Sequence, residues 1–238
     1  MVIGVISDVH ANVLALEAVL EVLREEGAST IVCLGDLVGY GPSPNETIEL
    51  LRQEGVMCTL GAADESIAFD FARDRRRREG VADETLEWTR TVIEPKHVEY
   101  LRGLPVQFRL NTPAGRMRFF HGSPTNPSER TNLNQEAGKL EVLLKSNRCR
   151  LLACGATHVP YFRRVPAGWV VNPGSVGLSL NGEPGADYAI VRAQEGNVDV
   201  AMDKVEYDFA AVAFDIVAWG LPAVVAEAIQ HGRMPDKS

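Results

Sequence analysis

The 238-residue sequence predicts an α/β fold. Two observations carry that expectation. Short apolar runs rich in Val and Ile alternate with stretches whose apolar residues recur at helical spacing. Several of those runs also stop at an Asp or a His, beyond the carboxyl end of the strand, where open α/β sheets place ligands.

Taken in order, residues 1–6 form the first strand, which stops at Ser7-Asp8-Val9-His10. Residues 12–26 put Val13, Leu14, Leu16, Val19, Leu20 and Leu23 in a helical pattern that Gly27 closes. Residues 30–34 form a second strand ending at Gly35-Asp36, and the glycines and prolines up to Pro44 make a shaped loop. Asn45 caps a short helix over 46–54, and residues 56–60 form a third strand ending at Gly61-Ala62-Ala63-Asp64. Residues 65 to about 98 read as helical and charged, with a dense basic run at 73–78. Residues 107–110 and 116–120 read as a hairpin that delivers His121-Gly122. A polar loop over 125–134 and a helix over 135–146 follow, then a strand over 151–154 that ends in Gly155-Ala156-Thr157-His158. A second hairpin (161–165 and 169–172), antiparallel strands (188–192 and 198–201) and one or two helices over 208–231 complete the pattern. With no repeat or clear linker, a single domain over 1–238 is expected, its C-terminal helices packing on the sheet or making a dimer interface.

Composition narrows the function. A net charge of −8 and a pI near 5.2 argue against non-specific nucleic-acid binding. No apolar run approaches the roughly 20 residues of a membrane helix. The chain starts directly on a strand without a charged leader, so a cytoplasmic protein is expected. Cys33, Cys58, Cys149 and Cys154 show no CxxC spacing and read as reduced thiols.

The recurring feature is a strand that ends in a residue able to hold a metal: Asp8 and His10, Asp36, Asp64, His121 and His158. Carboxylates and imidazoles together suit borderline divalent ions. The order Asp8-Val9-His10, Gly35-Asp36, Gly61-Ala62-Ala63-Asp64, His121-Gly122, Gly155-Ala156-Thr157-His158 resembles the calcineurin-like metallophosphoesterase superfamily. Gly35 to Pro42, Val171 to Gly177 and Gly220-Leu221-Pro222 point to its compact bacterial and archaeal branch.

The resemblance implies a four-layer α/β/β/α sandwich with mixed sheets and metals at the strand ends. It implies a first metal on Asp8, His10, Asp36 and His158, and a second that shares Asp36 and uses His121. Asp36, His121 and Asp64 would serve the chemistry. Mn²⁺ is the expected ion, with Fe, Zn, Ni, Co or Mg as alternatives, and the partner is a small phosphate ester such as a nucleotide. Ala62 and Ala156 stand where the family has an Asn and a His ligand, and Ala63 where it has its general-acid or phosphate-contacting His. A methyl group neither coordinates nor transfers a proton, so the second site is expected to be weak or absent. Deliberate substitution of an active enzyme and a naturally degenerate, one-metal binding scaffold both fit.

Other residues read more plainly. Asp64 orients a ligand or caps the following helix, and His97 and His231 belong to the surface. The basic run at 73–78 is a solvated helix face, with an Arg on substrate phosphate as the minority reading. Asn172 and Ser175 shape a tight turn. Tyr40 forms a wall of the cleft or merely closes the sheet. Trp88 and Trp169 are core residues.

Overall fold

The computed structural model describes residues 1–69, 80–131 and 136–235. Two five-stranded sheets form its centre. The first holds β1 (Val2–Ile6), β2 (Thr30–Cys33), β3 (Met57–Cys58), β9 (Ala186–Gln194) and β10 (Asn197–Val205), in the order β10-β9-β1-β2-β3. The second holds β4 (Gln107–Thr112), β5 (Gly115–Phe120), β6 (Leu151–Cys154), β7 (Tyr161–Val165) and β8 (Gly168–Asn172), ordered β4-β5-β6-β8-β7. Both are mixed: β1 pairs parallel with β2 and antiparallel with β9, while β6 lies parallel between β5 and β8.

Alternation along each strand assigns the layers, because successive side chains leave a strand on opposite faces. Ile3, Val5, Val32, Leu34, Ala189 and Val191 face the second sheet, whose Met117, Phe119, Leu151, Ala153, Trp169 and Val171 complete one buried cluster. The other face of the first sheet, through Ile6, Cys33 and Ile190, packs on Leu16, Val19, Leu20 and Leu23 of α1 (Val13–Glu25) and on Leu51 of α2 (Pro44–Gln53). Gly4 lies beneath that helix, where an added Cβ would come 2.7 Å from Leu23 Cδ1. The outer face of the second sheet, through Phe120, Leu152, Cys154 and Val170, packs on Leu140 and Leu144 of α6 (Ala137–Ser146). The result is a helix–sheet–sheet–helix sandwich.

Over residues 56–102, three expectations need correction. The long helix from 65 to 98 is instead α3 (Ala62–Ala68), α4 (Val81–Val92) and α5 (Pro95–Arg102). Pro95 sits in the first turn of α5 and holds the preceding Glu94 extended at ψ 144, which prevents α4 from running on. The basic run at 73–78 lies outside the described residues. His97 is fully buried rather than on the surface. The third strand shrinks to Met57–Cys58, paired to β2 at the edge of the sheet.

The C-terminal helices α7 (Phe209–Ala218) and α8 (Ala223–His231) break at Gly220, whose φ is 73°. They lean on Leu14, Tyr40, Leu178 and Trp88 rather than on a sheet face, so they back the loops at one end of the strands. Trp169 is buried, whereas Trp88 is only partly buried against this cluster. Among the described residues no helix is long and apolar enough to cross a membrane. All four cysteines are buried and unpaired.

Candidate metal centre

Four turns, two from each sheet, supply the candidate ligands. Ile6 stands opposite Cys33 in the β1–β2 register, so the turns beyond them zip together. The Asp8 N–H donates to Gly35 O (2.9 Å), and the His10 N–H to Asp36 O (3.0 Å). In the second sheet Phe120 stands opposite Cys154, and the Gly155 N–H donates to His121 O (2.9 Å). The pairs of turns meet across the sandwich, where the Ala156 N–H donates to Asp8 Oδ2 (3.2 Å).

The turns are tight enough to need unusual backbone. Asp8, His10, Asp36 and His158 all lie in the left-handed region, at φ 54°, 49°, 53° and 59°. Among non-glycine residues Asp, Asn and His tolerate that region best. Close contact demands glycine beside them: a Cβ on Gly155 would strike Ser7 Oγ and come 2.8 Å from Asp8 Oδ2. The end of β8 and the segment after it brace the turns after β1 and β6. The Ser175 hydroxyl donates to Asp8 O (2.7 Å), and Asn172 Nδ2 donates to Gly155 O and Thr157 Oγ1 (both 2.9 Å).

This backbone brings together every sequence-predicted ligand. Asp8, His10 and His158 form one buried group of potential metal donors, and Asp8, Asp36 and His121 form another. His158 Nε2 lies 3.3 Å from Asp8 Oδ1, and His121 Nε2 lies 3.3 Å from Asp36 Oδ2. Asp36 Oδ2 is also 3.8 Å from His10 Nε2. Two donors each about 2.1 Å from one cation are separated by about 3.0–3.4 Å, so this spacing fits coordination.

The tautomers fit as well. Nδ1 of His10, His121 and His158 faces the carbonyls of Val38 (3.1 Å), Leu34 (3.1 Å) and Leu178 (2.9 Å). A carbonyl only accepts, so each Nδ1 carries the proton and each Nε2 points inward. His10 Nε2 and His158 Nε2 then face one another at 3.1 Å, an arrangement that requires a cation or a shared proton between them. Asp8 Oδ1 and His121 Nε2 are buried and make no hydrogen bond, each facing an ionisable neighbour at 3.3 Å (His158 and Asp36), an arrangement that an ion could take over.

Charge in the ion-free site follows the same logic. Burial works against ionisation of Asp8 and Asp36, but the imidazoles outweigh it and hold both carboxyls below their ordinary range, chiefly His158 for Asp8 and His121 for Asp36. Burial would lower His121 too, yet Asp36 and Asp8 raise it to about 9. Asp8 likewise raises His158 against its burial, while burial and the charge of His158 press His10 down to about 4.

Asp64 lies beside this cluster with both oxygens committed to backbone. Oδ1 accepts from the N–H of Leu37 (2.9 Å) and Val38 (3.3 Å), and Oδ2 from the N–H of Gly61 (3.0 Å). It caps α3 and ties down the turn that carries Asp36. Burial and the Asp36 charge raise its carboxyl to about 7.

A cavity of about 260 Å³ opens over the centre, bounded in part by Asp36, His121 and His158. Ala62, Ala63 and Ala156 all line it, and so does Tyr40, whose ring meets His10 edge-on at 4.7 Å. Tyr40 is therefore a wall of the cleft. Arg130 also lines this cavity, though the sequence showed it only as one cation in a polar loop. The carbonyls of Leu34, Val38 and Leu178 were equally hidden, since any residue supplies a carbonyl.

Residues 1–196 match the model of the calcineurin-like phosphoesterase superfamily domain. The chain belongs to this superfamily. A metallophosphoesterase from Sphaerobacter thermophilus is 30% identical with a TM-score of 0.78, covering 98% of this chain and 99% of its own. A hypothetical protein from Pyrococcus horikoshii OT3 is 26% identical with a TM-score of 0.87, at the same coverage. An uncharacterised protein of Methanocaldococcus jannaschii is 29% identical over 97% of this chain and 98% of its own. For a calcineurin-like phosphoesterase, divalent metal is the implied cofactor, and the two buried donor groups are its candidate seats.

Proposed function

We propose that the chain is a metal-dependent phosphoesterase that hydrolyses a small phosphate ester, with Mn²⁺ as the expected ion. The observation that carries this reading is the convergence of Asp8, His10, Asp36, His121 and His158, with Asp8 Oδ1 and His121 Nε2 buried and without a hydrogen bond. Asp8, His10, Asp36 and His158 would hold one ion, with Asp36 and His121 available to a second. A divalent ion there supplies Lewis-acid polarisation of the phosphoryl group and a lowered pKa for water. Asp8 and Asp36 offset its charge, and three carbonyls keep the imidazole Nε2 atoms aimed at it. The cavity bounded by Tyr40 and Arg130 admits the ester.

A second reading is favoured by the three alanine methyls on the cavity wall. Ala63 has no proton for a leaving alkoxide, and a positioned general acid contributes roughly 10²–10⁴-fold. Here the chain is a one-metal binding scaffold with little turnover.

The deciding experiment reconstitutes the chain with Mn²⁺, dialyses it, and measures ions per chain alongside cleavage of bis-p-nitrophenyl phosphate. Two ions with turnover support the enzyme, and one ion with little turnover supports the scaffold. No bound metal refutes both. Ala62→Asn with Ala63→His and Ala156→His should raise cleavage at least 10²-fold if those methyls are what disables the chain.

A further inference from the structure

The loop after β5 is closed on itself. The Thr131 hydroxyl donates to Gly122 O (2.5 Å), so residue 131 returns to the position from which the loop departs. Inside it, Ser123 Oγ accepts from the Asn126 N–H (3.1 Å), and Asn126 Oδ1 accepts from the Ser128 N–H (2.9 Å). Gly122 leaves no room for a side chain, because a Cβ there would collide with the carbonyls of Glu129 and Pro127 and come 2.9 Å from that of Asn126. The Ser128 hydroxyl donates to Glu65 (3.2 Å), which pins the outer edge of the loop. This construction carries Arg130 back over the cavity that holds His121 and Asp36.

Arg130 has no ion-pair partner among the described residues, and Asp83, on the wall of the same cavity, does not pair with it. Its charge reaches across the cavity to the Tyr40 phenol, where it opposes the upward push of burial and Asp36. A guanidinium with no ion-pair partner among the described residues, beside the candidate metal centre, offers a fork of donors to phosphate oxygens.

We propose that Arg130 reads the charge of the phosphoryl group, favouring doubly charged phosphate monoesters over singly charged diesters. The inference rests on the phosphoesterase reading above and deepens it. A fixed cation attracts a dianion about twice as strongly as a monoanion at equal distance. A diester also replaces one anionic oxygen by an alkoxy group that accepts more weakly from the guanidinium.

The test titrates inorganic phosphate and dimethyl phosphate, at pH 8 and fixed ionic strength, into the Mn²⁺-loaded chain and its R130A and R130K variants. Metal content is measured on each sample. The wild-type chain should prefer phosphate, R130A should lose that preference by about tenfold or more, and R130K should keep part of it. In turnover, R130A should lower kcat/KM for p-nitrophenyl phosphate more than for the bis ester. An unchanged binding ratio in R130A with full metal content overturns the role of Arg130 alone. Failure of the wild-type chain to take up Mn²⁺ overturns the phosphoesterase reading, and this inference falls with it.

Discussion

At the scale of single residues, the centre is a contest between protons and a metal. In the ion-free chain, Asp36 and Asp8 keep His121 protonated up to about pH 9. An ion can use Nε2 only after that proton leaves, so binding releases protons and affinity rises with pH. The sign is fixed by the raised pKa: uptake through His121 should gain up to tenfold per unit as pH approaches 9, then level off. Mn²⁺ titration between pH 6 and 9.5, with proton release followed in weak buffer, checks this. A flat profile would exclude His121 as a ligand. The ligands were legible in the sequence because metal donors are a small set of residue types at strand ends. The carbonyls that orient them were not, and neither was Arg130, which follows His121 after a run of turn residues with no pattern of its own.

At the scale of elements, the turns are where function meets stability. Gly155 allows β6 to end against Ser7 and Asp8, and any side chain there must push them apart. Gly155→Ala should lower metal affinity by about 10–100-fold, the usual cost of disturbing what orients a ligand. Calorimetric titration checks it, with circular dichroism confirming the fold. Affinity unchanged within twofold would mean that the turn relaxes freely. Most strands were legible from apolar runs and alternation. The helices between residues 62 and 102 were merged, because charged segments on both sides of Pro95 share one composition. The burial of His97 was hidden for a related reason: a lone polar residue carries no sign of the face it occupies.

At the scale of the molecule, each donor group spans the two sheets. Asp8, His10 and Asp36 come from the first, while His158 and His121 come from the second. A bound ion therefore links the same two layers that Phe119 and its neighbours hold by apolar contact. Phe119→Ala should cost about 3–5 kcal/mol in unfolding free energy. Metal at 100 times its dissociation constant should return about 2.7 kcal/mol. Denaturant unfolding with and without Mn²⁺ measures both. Hydrogen exchange should then show both sheets gaining protection together, and slowing in one sheet alone would refute the cross-sheet link. The sandwich itself was not readable from periodicity, which places a strand in a sheet without saying which sheet. It came from the family resemblance.

The left-handed turns at Asp8, His10, Asp36 and His158 have a historical consequence. The residues that tolerate such turns, Asp, Asn and His, are largely those that bind metals. Selection for the turn alone would therefore go on preserving the vocabulary of an active site after catalysis had ceased to matter. Ala11, at φ 53°, and Ala156, at φ 69°, lie outside that set and endure a conformation that disfavours alanine by roughly 1–2 kcal/mol.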